Sequence, residues 1–117
     1  GKNIYPEEIE HLLKRSRYIE EVLETELFNK DKNRMELTAI IYPSWEELDE
    51  YIESRDEDET VIKEILKEEV NKVNEKLASY KRVISFELRE EEFPKTTTRK
   101  KKRYLFEERR IQVDEKS

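Results

Sequence analysis

The chain has 117 residues, of which 46% are charged and 34% are apolar, and its formal net charge is −6. This length fits one domain, and the low apolar content predicts a small core beneath a heavily solvated surface. The negative charge argues against a general nucleic-acid-binding protein, which is normally basic. The absence of cysteine excludes disulfides and thiolate metal sites and permits an intracellular origin.

The scarcity of glycine and histidine narrows the function classes further. Gly1 is the only glycine, whereas a phosphate-binding loop needs several so that backbone N–H groups can approach the phosphate. We therefore expect no ATP site in this chain alone. His11 is the only histidine, so no metal site is predicted, and we expect its side chain to be exposed or to pack half-buried. No apolar run approaches the roughly 20 residues that span a bilayer, and no signal peptide is visible.

The first half of the chain predicts a helix followed by a β-hairpin. Pro6 suits the first position of a helix, and apolar residues at helical spacing extend this helix to about Arg15. Two apolar runs, 18–28 and 35–42, predict strands on either side of a polar turn. The second run is apolar enough to predict a strand that is covered on both faces, and Pro43 ends it.

The region after the hairpin predicts a second helix and a linker. Ser44 and Glu47 form a capping-box pattern, so we expect a helix from Trp45 to about Ile52. The charged run 54–59 is expected to form an exposed linker.

The third part predicts a longer helix and a short strand. Apolar residues recur near the helical period from Thr60 to about Leu77. Residues 83–88 alternate, with Ile84, Phe86 and Leu88 on one face, which predicts a half-buried strand. Two or three strands with helices between them indicate a small α+β domain.

The segment 93–103 is the most basic part of the chain. Six of its eleven side chains are cationic: Lys95, Arg99, Lys100, Lys101, Lys102 and Arg103. From residue types alone, such a run is typical of a solvated basic loop. A nucleic-acid-binding patch is an alternative, but this run has no interleaved aromatic residues on which bases could stack.

Two motifs, GKNIYPEEIE at 1–10 and PKTTTRKKKR at 94–103, together resemble the small C-terminal domain of AMP-forming acyl-CoA synthetases, in particular bacterial fatty-acid and long-chain enzymes. The resemblance implies a domain at 1–104, followed by a charged C-terminal tail at 105–117. It implies an α+β lid domain, with a sheet of two to three strands flanked by helices. This lid would be hinged to a larger N-terminal adenylate-forming domain of the same chain.

The resemblance also implies roles for individual residues. Family members carry Pro-Lys-Thr-x-(Ser/Thr)-Gly-Lys-Ile-x-Arg in the second motif, which places their active-site lysine at Lys100 and their trailing arginine at Arg103. Lys100 would be the catalytic residue of adenylation, and Arg103 would orient the loop. After rotation of the domain, Gly1, Lys2 and Asn3 would face coenzyme A.

Other positions in the two motifs are structural or depart from the pattern. Arg99 stands where many members have glycine, and Lys101 stands where most have an apolar residue. Arg99 lacks the wider range of backbone conformations that glycine allows, and Lys101 lacks the apolar side chain that packs against the domain in other members. Glu8 and Glu10 are expected to make structural contacts.

The implied activity is that of an ATP-dependent acyl-CoA ligase, which converts a fatty acid, ATP and coenzyme A into acyl-CoA, AMP and pyrophosphate. ATP and coenzyme A are substrates, Mg²⁺ is expected in the N-terminal domain, and the isolated lid is expected to be inactive. The resemblance implies a cytoplasmic enzyme and leaves a peripheral membrane location open. A free-standing acidic α+β interaction module with a basic docking loop is the alternative. The sequence does not determine the length of the acyl chain. It also leaves open whether the acyl acceptor is coenzyme A or a carrier protein.

Overall fold

The computed structural model describes residues 5–94, which form an α+β domain with three α-helices and a three-stranded mixed sheet. The predicted α+β class is confirmed. The proposed boundary after residue 104 and the charged tail lie outside the described residues. In chain order the elements are α1 Pro6–Leu13, β1 Ile19–Asn29, β2 Arg34–Pro43, α2 Trp45–Arg55, α3 Val61–Asn74, a 3₁₀-helix Ser79–Lys81 and β3 Ser85–Leu88.

The sheet has the strand order β1-β2-β3. β1 and β2 form the predicted antiparallel hairpin, and Asn33 has a positive φ of 51° in the turn between them. β3 runs parallel to β2, and the chain between these two strands contains α2 and α3, which form the crossover that a parallel pair requires. β2 is therefore the central strand, and the prediction that both its faces are covered is confirmed, since 36–41 are all buried.

The main core lies between one face of the sheet and the helices. Strand register places Val22 opposite Ile41 on this face and Leu23 opposite Ile40 on the other face. The helix-side core contains buried residues from α1, both strands of the hairpin, α2 and α3, among them Ile9, Leu13, Val22, Ala39, Ile41, Leu48, Ile62, Ile65, Leu66, Val70 and Val73. A second cluster lies on the opposite face and contains Leu23, Ile40 and Phe93, with Tyr42 packed against it.

A side-chain amide connects the end of α3 to the beginning of β3. The Asn74 Nδ2 donates to the Val83 carbonyl oxygen at 2.9 Å, and the Val83 N–H donates to the Asn74 Oδ1 at 2.9 Å. The Ile84 N–H then donates to the Leu37 carbonyl oxygen at 2.9 Å, which begins the pairing with β2. These bonds hold β3 in place beside the central strand.

Several predicted boundaries are corrected by the structure. α2 continues to Arg55, three residues beyond the predicted end, and Asp56 closes it in the left-handed conformation, with φ 52°. The exposed linker therefore begins at Asp56 and not at Ser54. Ser44 occupies the predicted N-cap position, but its side chain makes no capping hydrogen bond.

The predicted end of α3 and the predicted apolar face of β3 are also corrected. α3 ends at Asn74, and Leu77 is buried in the turns that follow. Ile84 precedes β3 and is 53% exposed, whereas Phe86 and Leu88 pack against the main core as predicted. His11 is exposed, as expected. No helix within the described range is long and apolar enough to cross a membrane.

Candidate functional site

The residues predicted to carry function lie at the two ends of the chain. Gly1, Lys2, Asn3, Lys100 and Arg103 are all outside the described residues. The structure does describe where the two motifs join the domain, because the first motif continues into α1 and the second begins after β3.

The first motif continues into α1 on the helix side of the sheet. Pro6 is the first residue of α1, and Ile9 is fully buried in the main core. The Glu10 carboxylate, which is 2% exposed, accepts a hydrogen bond from the Glu24 backbone N–H at 2.7 Å. Because β1 is an outer strand, this bond satisfies a backbone donor that points away from the hairpin.

A second contact ties α1 to the 3₁₀-helix. The Glu8 carboxylate lies 3.6 Å from the Lys81 ammonium. The expectation that Glu8 and Glu10 make structural contacts is thereby confirmed. The end of the first motif is held against both the sheet and the segment that precedes β3.

Phe93, the residue before the second motif, lies on the opposite face of the sheet. Phe93 is 3% exposed and belongs to the cluster with Leu23 and Ile40 on the face away from the main core. The Arg89 N–H donates to the Ile41 carbonyl oxygen at 2.8 Å, and its guanidinium lies 5.2 Å from the centre of the Phe93 ring. The chain therefore passes from β3 to the other face within a few residues. The two motifs join the domain on opposite faces of the sheet.

A buried carboxylate organises the far end of the hairpin. Glu36 is 5% exposed; its Oε1 accepts a hydrogen bond from the Asn29 amide at 2.7 Å, and its Oε2 accepts two bonds from the Arg34 guanidinium at 3.1 Å. The Lys32 ammonium lies 3.8 Å from Oε2. The Asn29 amide, with Arg34 and Lys32, holds the pKa of the Glu36 carboxyl below its ordinary value of 4.5, although burial acts in the opposite direction.

The lowered pKa of Glu36 gives a prediction for the pH dependence of folding. The ionised carboxylate stabilises the fold above its unfolded-state pKa, and this contribution is lost as the pH falls through the lowered folded-state value. We expect the urea midpoint of Glu36→Gln to fall less than that of the wild type between about pH 5 and pH 2. Glu26→Gln, at an exposed position of the same hairpin, should follow the wild type. If the urea midpoints of Glu36→Gln and the wild type fell equally over this pH range, the prediction would be contradicted.

A groove lies on the helix side of the sheet, between α2, the beginning of α3 and the end of β3. Its volume is about 550 Å³, and its lining consists of Trp45, Asp49, Glu59, Thr60, Ile62, Lys63, Leu88 and Glu90. The sequence did not indicate this groove, because its residues come from three separate parts of the chain. Trp45 packs against the main core and Tyr42 packs against the second cluster, on opposite faces of the sheet.

Among residues 5–94, no group of three or more His, Cys, Asp or Glu side chains is arranged to hold a metal ion. Comparisons with known protein families, with curated proteins and with solved structures found no match to this chain. Its function is therefore inferred from its own residues and geometry.

Proposed function

We propose that the chain is the mobile C-terminal lid of an ATP-dependent, cytoplasmic acyl-CoA ligase that acts on a fatty acid. The observation that carries the proposal is the pair of motifs, GKNIYPEEIE and PKTTTRKKKR, at the two ends of one small α+β domain. A small sheet flanked by helices is the architecture that the resemblance implies. The large domain that binds ATP and the fatty acid would be the partner of this chain.

The positions at which the motifs join the domain support this proposal. The first motif continues into α1, whose Ile9 packs on the helix side of the sheet, and the second begins beyond Phe93 on the other side. A lid that serves two successive half-reactions needs two different surfaces. Rotation of a rigid domain about a hinge would present one surface for adenylation and the other for thioester formation.

The chemistry of the first half-reaction explains the role proposed for Lys100. A carboxylate oxygen of the fatty acid attacks the α-phosphorus of ATP, a new P–O bond forms, and the bond to pyrophosphate breaks. Two anions must approach each other, and negative charge spreads over the phosphoryl oxygens. The protonated Lys100 ammonium is a compact cation with three donors, so it can contact both reactants without giving up its proton.

The second half-reaction would use the other surface. The coenzyme A thiolate attacks the acyl carbonyl carbon, a C–S bond forms, and AMP leaves with the electrons of the C–O bond. Gly1, Lys2 and Asn3 would face the pantetheine arm, and a glycine permits close approach of the backbone. Arg103 would orient the loop that carries Lys100.

The separation between Phe93 and Lys100 along the chain is long enough for Lys100 to reach another domain. Phe93 is anchored in the second cluster, and Lys100 follows it by seven residues. A fully extended chain of seven residues spans at most about 25 Å. That length would allow Lys100 to enter an active site beyond the surface of this domain.

The proposal is tested with the protein encoded by the complete reading frame. Fatty acid, ATP and coenzyme A should yield AMP, pyrophosphate and acyl-CoA, measured by chromatography, while the isolated 117-residue chain should yield none. Adding the isolated chain to the large domain alone tests whether the covalent connection is needed. A native reading frame that begins near Gly1, or the absence of AMP with fatty acids of every length, would contradict the proposal.

A further inference from the structure

We propose that the groove between α2, α3 and β3 docks a lysine- or arginine-containing segment of a partner protein. This inference goes beyond the lid assignment, because it assigns a function to residues outside the two motifs. It rests on an apolar floor, an acidic rim and the location of the groove.

The floor of the groove suits the long aliphatic stem of a basic side chain. Trp45 and Leu88 are half-buried and pack against the main core, and Ile62 is 8% exposed. Lysine and arginine lay their methylene stems along apolar surfaces of this kind while their charged heads stay solvated. An indole ring also attracts a cation placed over its face.

The rim of the groove carries excess negative charge. Asp49, Glu59 and Glu90 are exposed carboxylates, and Lys63 is the one cation among the lining residues that fall within 5–94. The surrounding segment 44–60 contains nine carboxylates and one arginine. Such a field steers cationic partners towards the groove and repels nucleic acids and anionic membranes.

The size and donor arrangement of the groove favour a peptide segment over a metal ion. A volume of about 550 Å³ lies within the range of about 300–1,000 Å³ that is typical of ligand sites. The carboxylates of the rim are not arranged as a metal cluster, since none was found among the described residues.

The occupant that we propose is a partner protein and not the basic segment of this chain. Segment 95–103 follows Phe93, which lies on the face of the sheet opposite the helices. The groove lies on the helix side, where Trp45 and Leu88 pack against the main core. A partner that approaches from the helix side reaches the groove directly.

Trp45 is the only tryptophan of the chain, so its fluorescence reports on the groove. We expect hexa-arginine to shift or quench the emission of the 117-residue protein in a saturable way, with weaker binding in high salt. Hexaglutamate should have no effect. An unchanged emission during titration with hexa-arginine would overturn the proposal.

A pair of matched triple variants separates docking in the groove from general attraction to an acidic protein. The groove variant carries Asp49→Asn, Glu59→Gln and Glu90→Gln, and the control carries Glu20→Gln, Glu26→Gln and Glu75→Gln at exposed positions outside the lining. Both remove three negative charges. The groove variant should raise the dissociation constant about ten-fold, since each exposed ion pair contributes modestly, and the control should change it less than about two-fold.

Equal weakening in both variants would overturn the proposal, because it would show that net charge alone attracts the peptide. Emission that changes with salt before any peptide is added, and that loses this response when Lys95 and the basic residues 99–103 are replaced by glutamine, would also overturn it. That result would assign the groove to the basic segment of the chain itself.

Discussion

Under the proposed function, Lys100→Ala in the full-length protein is expected to slow acyl-CoA synthesis from fatty acid and ATP by about 100- to 1,000-fold, by analogy with the loss of one transition-state donor in other enzymes. The reason is that the ammonium group would stabilise charge that develops only as the carboxylate meets the α-phosphate. Because Lys100 would serve the first half-reaction alone, conversion of supplied acyl-adenylate to thioester should stay near the wild-type rate. Both rates can be measured by product chromatography.

Neighbouring lysines provide the matched controls for this prediction. Lys101→Ala and Lys102→Ala remove the same charge from the same segment. They should lower the rate far less than Lys100→Ala, since the proposed function assigns the adenylation lysine to Lys100. Equal losses at all three positions would show that the segment acts through its total charge. Equal loss of both half-reactions in Lys100→Ala would point to damage of the fold.

Phe93→Ala is expected to lower the free energy of unfolding by about 3–5 kcal/mol. The ring is 3% exposed, and its removal would leave a cavity between Leu23 and Ile40 on the second face of the sheet. It would also remove the ring that lies beneath the Arg89 guanidinium. Urea unfolding followed by circular dichroism measures the change.

Two variants test whether the loss of stability comes from removal of the buried Phe93 ring. Phe93→Leu keeps most of the apolar volume and should cost on the order of 1 kcal/mol. Tyr5→Ala removes a ring that is 57% exposed and should change stability by less than about 0.5 kcal/mol. If Phe93→Ala were as stable as Tyr5→Ala, Phe93 would not anchor the beginning of the second motif.

Local patterns of apolar residues predicted most of the elements, because helices bury one face and the strands bury one or both faces. α1 starts at Pro6 as expected, and each end of the hairpin strands lies one residue from the end of the predicted run. The parallel pairing of β3 with β2 was not predicted, because it depends on contacts between residues far apart in the chain. The strand register, which places Val22 on the helix side of the sheet and Leu23 on the other face, was likewise not predicted.

The errors at element ends have physical causes. Ser54 and Arg55 are polar and exposed, so composition did not distinguish a helix end from a linker. The Arg55 guanidinium lies 4.0 Å from the centre of the Tyr51 ring, a contact one turn along the helix that sequence patterns do not show. Ile84 is apolar and fits the alternation with Phe86 and Leu88, yet it lies before β3 and is exposed.

The candidate site was predictable only in part. The resemblance of the two motifs to a known family indicated Lys100 and the segment around Gly1; these residues lie outside the described range, so their roles stay predictions. The anchoring of Phe93 and the groove at Trp45 came from the fold, because their contacts join elements that are distant in sequence.

The most direct test of the lid assignment is the exchange of labelled pyrophosphate into ATP by the full-length Lys100→Ala enzyme, with saturating fatty acid and no coenzyme A. This reaction isolates adenylation from thioester formation. We expect exchange to be lost while the thermal unfolding midpoint stays that of the wild type. Exchange at the wild-type rate would show that Lys100 does not take part in adenylation and would contradict the account.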